Sequence, residues 1–337
     1  MGNDTEQKLK IAIVILNWNG KKLLEQFLPS VIEHSKEATV YVADNASTDD
    51  SVNFIKTAFP LIKIIQNTEN GGYAKGYNDA LKQVESDVFC LLNSDVEVTK
   101  NWLTPIINTF KNEFNTAIIQ PKLLDFNKRD YFEYAGAAGG FIDKYGYPYC
   151  RGRIFNTIEK DNGQYNDTSE IFWASGACLF IRKYVFNELN GLDEAFFAHM
   201  EEIDLCWRAK NKGYAVKYVG QSTIYHVGGA TLSNTNPKKT FLNFRNSLFT
   251  VTKNAQGNIF LIILMRLILD GLAGIKFLLE MKPKHILAIL KAHISFYSHL
   301  KQLLAQRKAN KKKMSYSKIN SIVLCYFLFK KQYFKSL

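Results

Sequence analysis

Short apolar runs in the first hundred residues each give way to a polar loop within one or two positions. The runs cover residues 10–16, 40–43, 62–65 and 88–92, and helical stretches lie between them. Such runs, rich in Val and Ile, are typical of buried parallel strands. Their alternation with helices predicts an α/β fold with a mostly parallel central sheet and helices on both of its faces.

The loops after these strands carry many of the polar side chains in this part of the chain. They cover residues 17–20, 44–51, 70–78 and 93–97. Ligands of an open α/β sheet lie beyond the carboxyl ends of its strands, so these loops predict one shared site. Asp44 is placed to accept a hydrogen bond from a pyrimidine imide or a ribose hydroxyl. A helix N-cap formed by Ser47 or Thr48 is the structural alternative for this loop, and both can hold together.

Asp95 follows the apolar run at 88–92 and is flanked by Asn93 and Glu97. A carboxylate there can hold a hard divalent cation, which in turn holds a diphosphate. A strand that simply ends in a turn is the alternative, because Asn, Ser and Asp are common turn residues. The glycines at 71–76 fit neither GxGxxG nor GxxxxGKS/T, so neither a dinucleotide site nor a P-loop is predicted.

The net charge of +12 is concentrated near the end of the chain. Residues 276–337 carry fourteen Lys and Arg against the single acid Glu280, a net +13, while residues 1–275 sum to −1. A basic tail on a near-neutral body argues against nucleic acid as a partner and for a local electrostatic anchor. The first ten residues are polar and lack the apolar stretch of a signal peptide, which predicts a cytoplasmic location.

Seven motifs occur along the chain in a specific order and spacing. The first four are VILNWNG (14–20), DNASTD (44–49), NGGYAKGYN (70–78) and LNSD (92–95). WASGAC (173–178), FFAHMEEIDLCWR (196–208) and HVGGAT (226–231) follow in the second half. Together they resemble the family 2 inverting glycosyltransferases of GT-A fold, and most closely the rhamnosyltransferase-like branch. The resemblance covers residues 8–250 as a glycosyltransferase domain and leaves residues 251–337 as a helical tail.

The resemblance implies a nucleotide-sugar donor, either a dTDP- or a UDP-sugar, with dTDP-rhamnose as the first candidate. It also implies a lipid-linked glycan as acceptor, in cell-surface polysaccharide assembly. The residues that it assigns to donor binding come from the four loops and the WASGAC motif: Asn17, Asn19, Asp44, Asn45, Ser47, Gly72, Lys75, Gly76, Asn78, Asn93, Ser94 and Gly176.

The resemblance further implies a divalent cation, Mg²⁺ or Mn²⁺, held by Asp95 and His226. The family usually has Asp-x-Asp at this motif, so Asn93 in its first position leaves Asp95 as the main carboxylate ligand. An imidazole beside carboxylate oxygens suits Mn²⁺ at least as well as Mg²⁺. A histidine packed in the core and hydrogen-bonded to a neighbour is the alternative for His226.

Glu201 and Glu202 stand where the family commonly has a Glu-Asp pair, which implies that one of them is the catalytic base. Repulsion between the two carboxylates should raise a pKa, as a general base requires, and we expect Glu202 to be the base. Its extra methylene keeps Glu201 open as the alternative. The implied reaction is a direct, inverting displacement at the anomeric carbon. Acids at a helix start also complement the helix dipole, and we expect Asp204 to brace the site.

Two stretches of the tail, residues 259–279 and 285–304, are apolar, and Arg266, Asp270 and Lys276 interrupt the first of them. A basic cluster at 307–313 follows. These features predict helices that lie on the anionic inner face of the membrane and make the enzyme peripheral to it. A helical cap over the sheet and a homodimer interface are the alternatives.

Two other functions share parts of this pattern. A nucleotidyltransferase would have the same sheet and metal, but it would need a basic signature loop after the first strand, where this chain has NWNG. A nucleotide-sugar-binding scaffold that lost its chemistry through the change at Glu202 would keep the donor residues.

Overall fold

The computed structural model describes residues 9–228, 236–309 and 314–337. The strands in these ranges are β1 (Ile11–Asn17), β2 (Ala38–Asp44), β3 (Lys63–Gln66), β4 (Val88–Asn93), β5 (Val96–Val98), β6 (Thr116–Asp125), β7 (Gly140–Ile142), β8 (Pro148–Cys150), β9 (Arg153–Ile154), β10 (Thr157–Ile158), β11 (Thr168–Glu170), β12 (Cys178–Arg182) and β13 (Ala215–His226). The helices are α1 (Lys21–His34), α2 (Ser51–Ala58), α3 (Gly72–Leu81), α4 (Leu103–Asn112), α5 (Lys183–Glu188), α6 (Glu201–Asn211), α7 (Pro237–Asn254), α8 (Ile259–Leu279) and α9 (Pro283–Ala309).

The central sheet has the strand order β11-β13-β6-β12-β4-β1-β2-β3, and β5 pairs with β13. β1 lies between β2 and β4 and is parallel to both, and β3 continues the parallel half beyond β2. β12 is antiparallel to β4 and to β6. The register places Asn17 opposite Asp44 and Leu16 opposite Asn93, so the loops after these strands meet at one edge. The predicted α/β fold with a mostly parallel central sheet is confirmed.

Helices cover both faces of this sheet because its strands are apolar on both sides. One buried cluster contains Leu24 of α1, Ile55 of α2 and Phe110 of α4. The other contains Tyr77 of α3 and Trp207 of α6. The strands are thereby fixed from both sides, and only their ends and the connecting loops remain free to build a site.

A second, antiparallel sheet of order β10-β9-β8-β7 lies against the end of the chain. The Phe334 ring centroid is 5.1 Å from that of Phe141, and the Tyr326 centroid is 5.0 Å from that of Phe155. The backbone N–H of Ile322 donates to Asp143 Oδ2, in the hairpin between β7 and β8, at 2.9 Å. Residues 314–337 are therefore packed on the folded domain.

The predicted domain boundary at residue 250 lies inside α7. Phe249 of α7 and Phe296 of α9 have ring centroids 6.5 Å apart, and both belong to a buried cluster that also includes residues of the central sheet. The helices α7 and α9 therefore share a core with the sheet. Of the predicted basic cluster, residues 310–313 lie outside the described residues. Within the described ranges, we find no helix with the length and apolar character needed to cross a membrane.

Candidate active site

The ends of β1 and β2 bring four of the predicted donor-binding residues together. Asn17 Nδ2 donates to Asp44 Oδ1 and to Ser47 Oγ, both at 3.2 Å. The backbone N–H of Ser47 donates to Asp44 Oδ2 at 3.0 Å, and that of Asn19 donates to Ser47 Oγ at 2.9 Å. Asn17 and Asp44 are both buried. The network fixes the Asp44 carboxylate at the edge of the sheet where the carboxyl ends of β1 and β2 lie.

The alternative for this loop, an N-cap formed by Ser47 or Thr48, is not what the structure shows. α2 begins at Ser51, and Asp49 Oδ1 accepts the Ser51 backbone N–H at 3.1 Å. The backbone N–H of Thr48 instead donates to Asn19 Oδ1 at 2.7 Å. The loop after β2 is therefore shaped by the loop after β1, which a sequence pattern cannot show.

Asn45 and the glycine-rich loop form a second part of the same edge. Asn45 Nδ2 donates to the Gly72 carbonyl at 3.2 Å, and Asn45 Oδ1 accepts from Asn67 Nδ2 at 3.1 Å. Gly72 has φ +79°, and a Cβ there would lie 2.6 Å from the Phe197 carbonyl oxygen. A Cβ at Gly76 would lie 3.0 Å from the Asn45 amide. Close backbone approach thus explains both glycines.

Two residues of the predicted donor set make contacts elsewhere. Lys75 Nζ lies 2.6 Å from an Asp79 carboxylate oxygen, one turn along α3. Asn78 Nδ2 donates to the Leu192 carbonyl at 2.8 Å, and its Oδ1 accepts the Leu192 N–H at 2.9 Å. Asn78 therefore holds the loop before α6 in this structure.

Asp95 and His226, far apart in sequence, lie in contact. His226 Nε2 is 3.1 Å from Asp95 Oδ1 and 3.4 Å from Asn93 Nδ2. His226 Nδ1 is 3.4 Å from Glu133 Oε1, and all three acid and imidazole groups are buried. Ser94 faces the turn at Gly20. Of the HVGGAT motif that follows β13, Gly229–Thr231 lie outside the described residues.

The electrostatics of this cluster depend on the charge of the imidazole. Burial opposes a charged His226, but Glu133 and Asp95 outweigh it and raise the pKa of His226 to about 10. Burial likewise opposes ionisation of Asp95, yet its contact with His226 lowers the pKa of that carboxyl. Asp95 and Glu133 on its two sides thus favour the protonated form of His226, and a metal ion bound at this ring would have to displace that proton.

The cluster supplies only part of the ligand set that a metal site requires. Among residues 9–228, 236–309 and 314–337, no group of three His, Cys, Asp or Glu side chains is arranged to hold a metal ion. Mg²⁺, however, is commonly bound by one or two carboxylates together with substrate phosphates. Glu133 beside Nδ1 of His226 matches the carboxylate that commonly orients a metal-binding histidine. The side chains therefore fit a cation that a diphosphate helps to hold.

Glu201 and Glu202 begin α6, and neither forms an ion pair with a Lys, Arg or His among residues 9–228, 236–309 and 314–337. Within the described chain, Oε2 of each has no hydrogen-bond partner. Burial raises the pKa of Glu202 to about 7, and burial together with the charge of Glu202 raises the pKa of Glu201 well above its usual value. The predicted increase is present, but its main cause is burial rather than the expected mutual repulsion.

Gly176 joins the carboxylate pair to the rest of the site. Its carbonyl accepts from the Tyr73 hydroxyl at 2.7 Å, and a Cβ at Gly176 would lie 3.8 Å from the Glu202 carboxyl carbon. The next residue, Ala177, accepts the Asn93 backbone N–H at 3.0 Å. Residues 175–178 therefore form a bridging segment between Glu202 and the Asp95–His226 contact.

The loop before α6 is strained and held from outside. Phe197, His199 and Met200 have φ values of 63°, 69° and 74°, in the left-handed region that costs a non-glycine residue about 1–3 kcal/mol. Asn246 Nδ2 lies 2.9 Å from the Ala198 carbonyl and 2.7 Å from that of His199. Arg245 of the same helix, α7, donates to carbonyls at the start of this loop. α7 thus fixes where the first turn of α6 begins.

Asp204, one turn further along α6, is fully compensated. Its carboxylate lies 2.9 Å from Lys253 Nζ and 2.7 Å from Arg208 Nε, and it accepts from Asn254 Nδ2 at 2.7 Å. Although burial alone would raise it, these charges lower the pKa of Asp204 to about 2. Asp204 therefore joins α6 to α7, consistent with the bracing role expected of it.

The comparison with known families rests on a match across half of the chain. A family model described as "Glycosyl transferase family 2" matches residues 12–189. The chain belongs to this family. The predicted family 2 membership and the prediction that the chain is a glycosyltransferase are confirmed.

Curated relatives and a solved structure agree with this placement of the glycosyltransferase. The chain is 23% identical to an N-acetylglucosaminyl-diphospho-decaprenol L-rhamnosyltransferase of Mycobacterium tuberculosis over 235 residues, which are 64% of this chain and 75% of the relative. It is 23% identical to the low-salt glycan biosynthesis hexosyltransferase Agl10 of Haloferax volcanii over 206 residues, 60% of this chain and 62% of that one. The crystal structure of GalNAc-T7 with UDP, GalNAc and Mn²⁺ aligns with a TM-score of 0.62 at 14% identity, over 97% of this chain and 57% of that one. The GT-A fold is thereby confirmed.

Three residues of the candidate site were missed by the sequence analysis: Glu133, Tyr73 and Asn246. Glu133 lies in a tyrosine-rich segment without regular periodicity, so nothing local placed it beside His226. Tyr73 lies within the glycine-rich motif, where its hydroxyl could have been considered. Asn246 follows Arg245 in a helical stretch, and only the path of the preceding loop reveals what it contacts.

Proposed function

We propose that this glycosyltransferase transfers a sugar from a dTDP- or UDP-sugar to a hydroxyl of a lipid-linked glycan, with dTDP-rhamnose as the first donor candidate. The acceptor oxygen displaces the diphosphate directly, so the anomeric carbon is inverted and no covalent intermediate forms. One observation carries this proposal. Glu202 is a carboxylate with a near-neutral pKa and an unpartnered oxygen, and one bridging segment separates it from the Asp95–His226 contact.

Glu202 is the base in this proposal. It takes the proton of the acceptor hydroxyl while that oxygen attacks, and a pKa of about 7 suits proton transfer near neutral pH. Glu201 is more deeply buried than Glu202, and burial together with the charge of Glu202 raises the pKa of its carboxyl well above its usual value, which leaves Glu202 as the better placed base. The strained loop before α6, held by Asn246, positions both carboxylates relative to the bridging segment.

Asp95 and His226 would hold the divalent cation, Mg²⁺ or Mn²⁺, together with the diphosphate of the donor. A bound cation would stabilise the charge of the leaving diphosphate. The two side-chain atoms are 3.1 Å apart, and Glu133 orients the imidazole from behind. The mixed imidazole and carboxylate set suits Mn²⁺ at least as well as Mg²⁺, and the GalNAc-T7 structure contains Mn²⁺.

The nucleotide would lie over the cluster at the ends of β1 and β2. Each carboxylate oxygen of Asp44 accepts one hydrogen bond in the structure, and each has a second lone pair for a base imide or a ribose hydroxyl. Asn17, Asn19 and Ser47 keep that carboxylate in place. The glycines at 72 and 76 let the backbone approach the diphosphate closely.

The lipid-linked acceptor is supported by the mycobacterial relative, whose name describes a decaprenol-linked substrate. An enzyme with such an acceptor would work at the cytoplasmic face of the membrane as a peripheral protein. The basic charge of residues 276–337 supports that location.

The test is a thermal-shift screen of the full chain against dTDP- and UDP-sugars with Mn²⁺, followed by turnover of the best binder with a polyprenyl-linked acceptor. We expect a shift that disappears without the cation and in the Asp95→Asn variant. Turnover with acceptor would establish the transferase. Binding without turnover would indicate an impaired scaffold, and release of diphosphate from a nucleoside triphosphate with a sugar phosphate would indicate a nucleotidyltransferase.

A further inference from the structure

Two charged residues of α8, Arg266 and Asp270, face the protein, whereas many of the helix's apolar residues are exposed. Arg266 and Asp270 are buried, and Arg266 Nε lies 2.8 Å from Asp270 Oδ1. The Tyr147 hydroxyl donates to Asp270 at 2.8 Å, and the Arg266 guanidinium lies 3.8 Å from the Tyr147 ring centroid. Two of the three charged residues that interrupt the apolar sequence of α8 therefore fasten the helix to the β7–β8 hairpin.

The solvent side of α8 is a continuous apolar stripe at helical spacing. Its members are 38–80% exposed: Leu261, Leu264, Met265, Ile268, Leu272, Ile275 and Leu279. In a soluble helix that packs on a core, such a stripe faces inward. Here the helix is already fixed by its other side, so the stripe is left without a partner in the described chain.

Two neighbouring elements extend this surface. On α9, a stripe at similar spacing is exposed: Leu287, Leu290, Ile294 and Tyr297. Near the end of the chain, Leu328 and Phe329 are exposed, and the Phe327 ring lies 5.6 Å from Lys276 Nζ of α8. We call these exposed residues of α8, α9 and 327–329 the apolar face. A surface of this kind on one side of a protein marks an interaction site.

Lysines lie on the elements of the apolar face and next to them. Lys276 is on α8, Lys282 is between α8 and α9, Lys284 and Lys291 are on α9, and Lys330 follows residue 329, and all five are exposed. Glu280 is the only acid in residues 276–337, and it already pairs with Lys282 at 2.7 Å. An apolar surface with a cationic rim matches the acyl chains and the anionic headgroups of a bilayer at the same time.

We propose that the apolar face inserts into the headgroup region of an anionic bilayer, with α8 lying in the membrane plane. The Arg266–Asp270 pair then sets the orientation of the enzyme, because it fixes α8 to the hairpin of the second sheet. The inference deepens the proposed function, since a lipid-carried acceptor would be presented at this face.

A second copy of the chain is the other occupant that an apolar face could have. A two-fold dimer through this surface would place the same patch of each copy face to face. The lysine rims of the two copies would then meet with little acid to compensate them. Charge complementarity therefore favours an anionic lipid surface.

The first test measures flotation of the full chain with two kinds of vesicle, phosphatidylcholine alone and equal parts phosphatidylcholine and phosphatidylglycerol. We expect binding to the anionic vesicles, reduced at least tenfold by Ile268→Gln with Leu272→Gln. Replacing Lys284 or Lys291 with Gln should reduce it about fivefold each. The matched control is Leu61→Gln with Phe114→Gln, at exposed apolar positions outside the apolar face, and it should bind as the parent chain does.

The second test reports which side enters the lipid. An environment-sensitive fluorophore attached at Ile268→Cys should shift to the blue on addition of anionic vesicles, whereas one at Leu61→Cys should not. Absence of flotation, equal binding to both vesicle types, or a dimer that the Ile268 and Leu272 substitutions dissociate would each overturn the proposal. Neither experiment contains a sugar donor or an acceptor, so a negative result in them is distinguishable from failure of the proposed transfer reaction.

Discussion

Glu202 and Asp204 are two positions apart on one helix and are treated in opposite ways. Asp204 contacts two cations and an amide, which lower its pKa to about 2. Glu202 is enclosed with an acid beside it and no cation, and its pKa is raised to about 7. The helix dipole acts on both, so the difference comes from their partners. Arg208 of α6 and Lys253 and Asn254 of α7 contact Asp204, whereas near Glu202 helix α7 only holds the loop that precedes α6.

The difference assigns a structural role to Asp204 and a chemical role to Glu202, although both lie in one turn of α6. A compensated buried acid stabilises the fold and is unavailable for proton transfer, whereas an uncompensated one costs stability and is available. The predictions below start from this contrast, and each would weaken or sharpen it.

The largest effect is expected for Glu202→Gln. Loss of a general base should lower kcat by about 10²–10⁴-fold, because the acceptor hydroxyl would then lose its proton without a positioned carboxylate to take it. The melting temperature at pH 8 should be unchanged or higher, since the variant removes a buried charge that the fold does not compensate. Steady-state kinetics and calorimetry on the same sample provide both numbers.

Glu201→Gln is the matched control for that variant. It removes the neighbouring carboxylate while keeping Glu202, and a smaller loss of kcat is expected. If Glu201→Gln abolishes turnover while Glu202→Gln leaves it intact, the base has been assigned to the wrong member of the pair.

The second effect is on stability. Asp204→Asn should lower the free energy of unfolding by about 2–3 kcal/mol, because Arg208 and the buried Lys253 each lose an anionic partner, although Lys253 keeps its ion pair with Asp193. Urea denaturation measures this value. Glu188→Gln removes an exposed partner of Lys212 and should cost at most about 1 kcal/mol. A stability loss for Asp204→Asn no larger than this control would contradict the bracing role.

The two acids should also produce opposite pH dependences of stability. Glu202 binds a proton more tightly in the folded state, so stability should fall as the pH rises from about 4.5 to about 7. Asp204 binds one less tightly, so its stabilisation is lost as the pH falls from 3.8 towards 2. Glu202→Gln should flatten the first change by at most about 3 kcal/mol, the free energy that an increase of the pKa from 4.5 to about 7 implies. If stability changes with pH in this variant as it does in the parent chain, the pKa of Glu202 is not raised in the folded protein.

How much of this the sequence could predict depended on the range of the contacts. The apolar runs predicted the parallel strands and the edge that their loops share, because the carboxyl ends of neighbouring parallel strands lie on the same side of a sheet. The convergence of Asp95 with His226 came only from family resemblance, since 131 positions separate them and no local pattern links them. Glu133 and Asn246 were missed because each acts on a chain segment that is remote in sequence. The sequence showed Arg266 and Asp270 only as interruptions of an apolar stretch, and their inward contacts became visible only in the fold, because Tyr147 lies 123 positions before Asp270.

The smallest effect is expected for Tyr73→Phe, which tests whether the bridging segment transmits position to Glu202. The variant keeps the ring, which packs 4.7 Å from that of Tyr77, and loses the hydrogen bond to the Gly176 carbonyl. Such a bond contributes about 1 kcal/mol, so a roughly fivefold lower kcat is expected, with little change in KM for the donor.

Tyr77→Phe is the matched control, because its hydroxyl also donates to a backbone carbonyl, that of Leu92, at 3.0 Å. Both variants should lose similar stability, but only Tyr73→Phe removes a contact beside Glu202. Equal kcat values for the two variants would mean that Tyr73 only supports the fold. A decrease in kcat confined to Tyr73→Phe would mean that Glu202 depends on its neighbours for its position. Asp204, by contrast, depends on its neighbours for compensation of its charge.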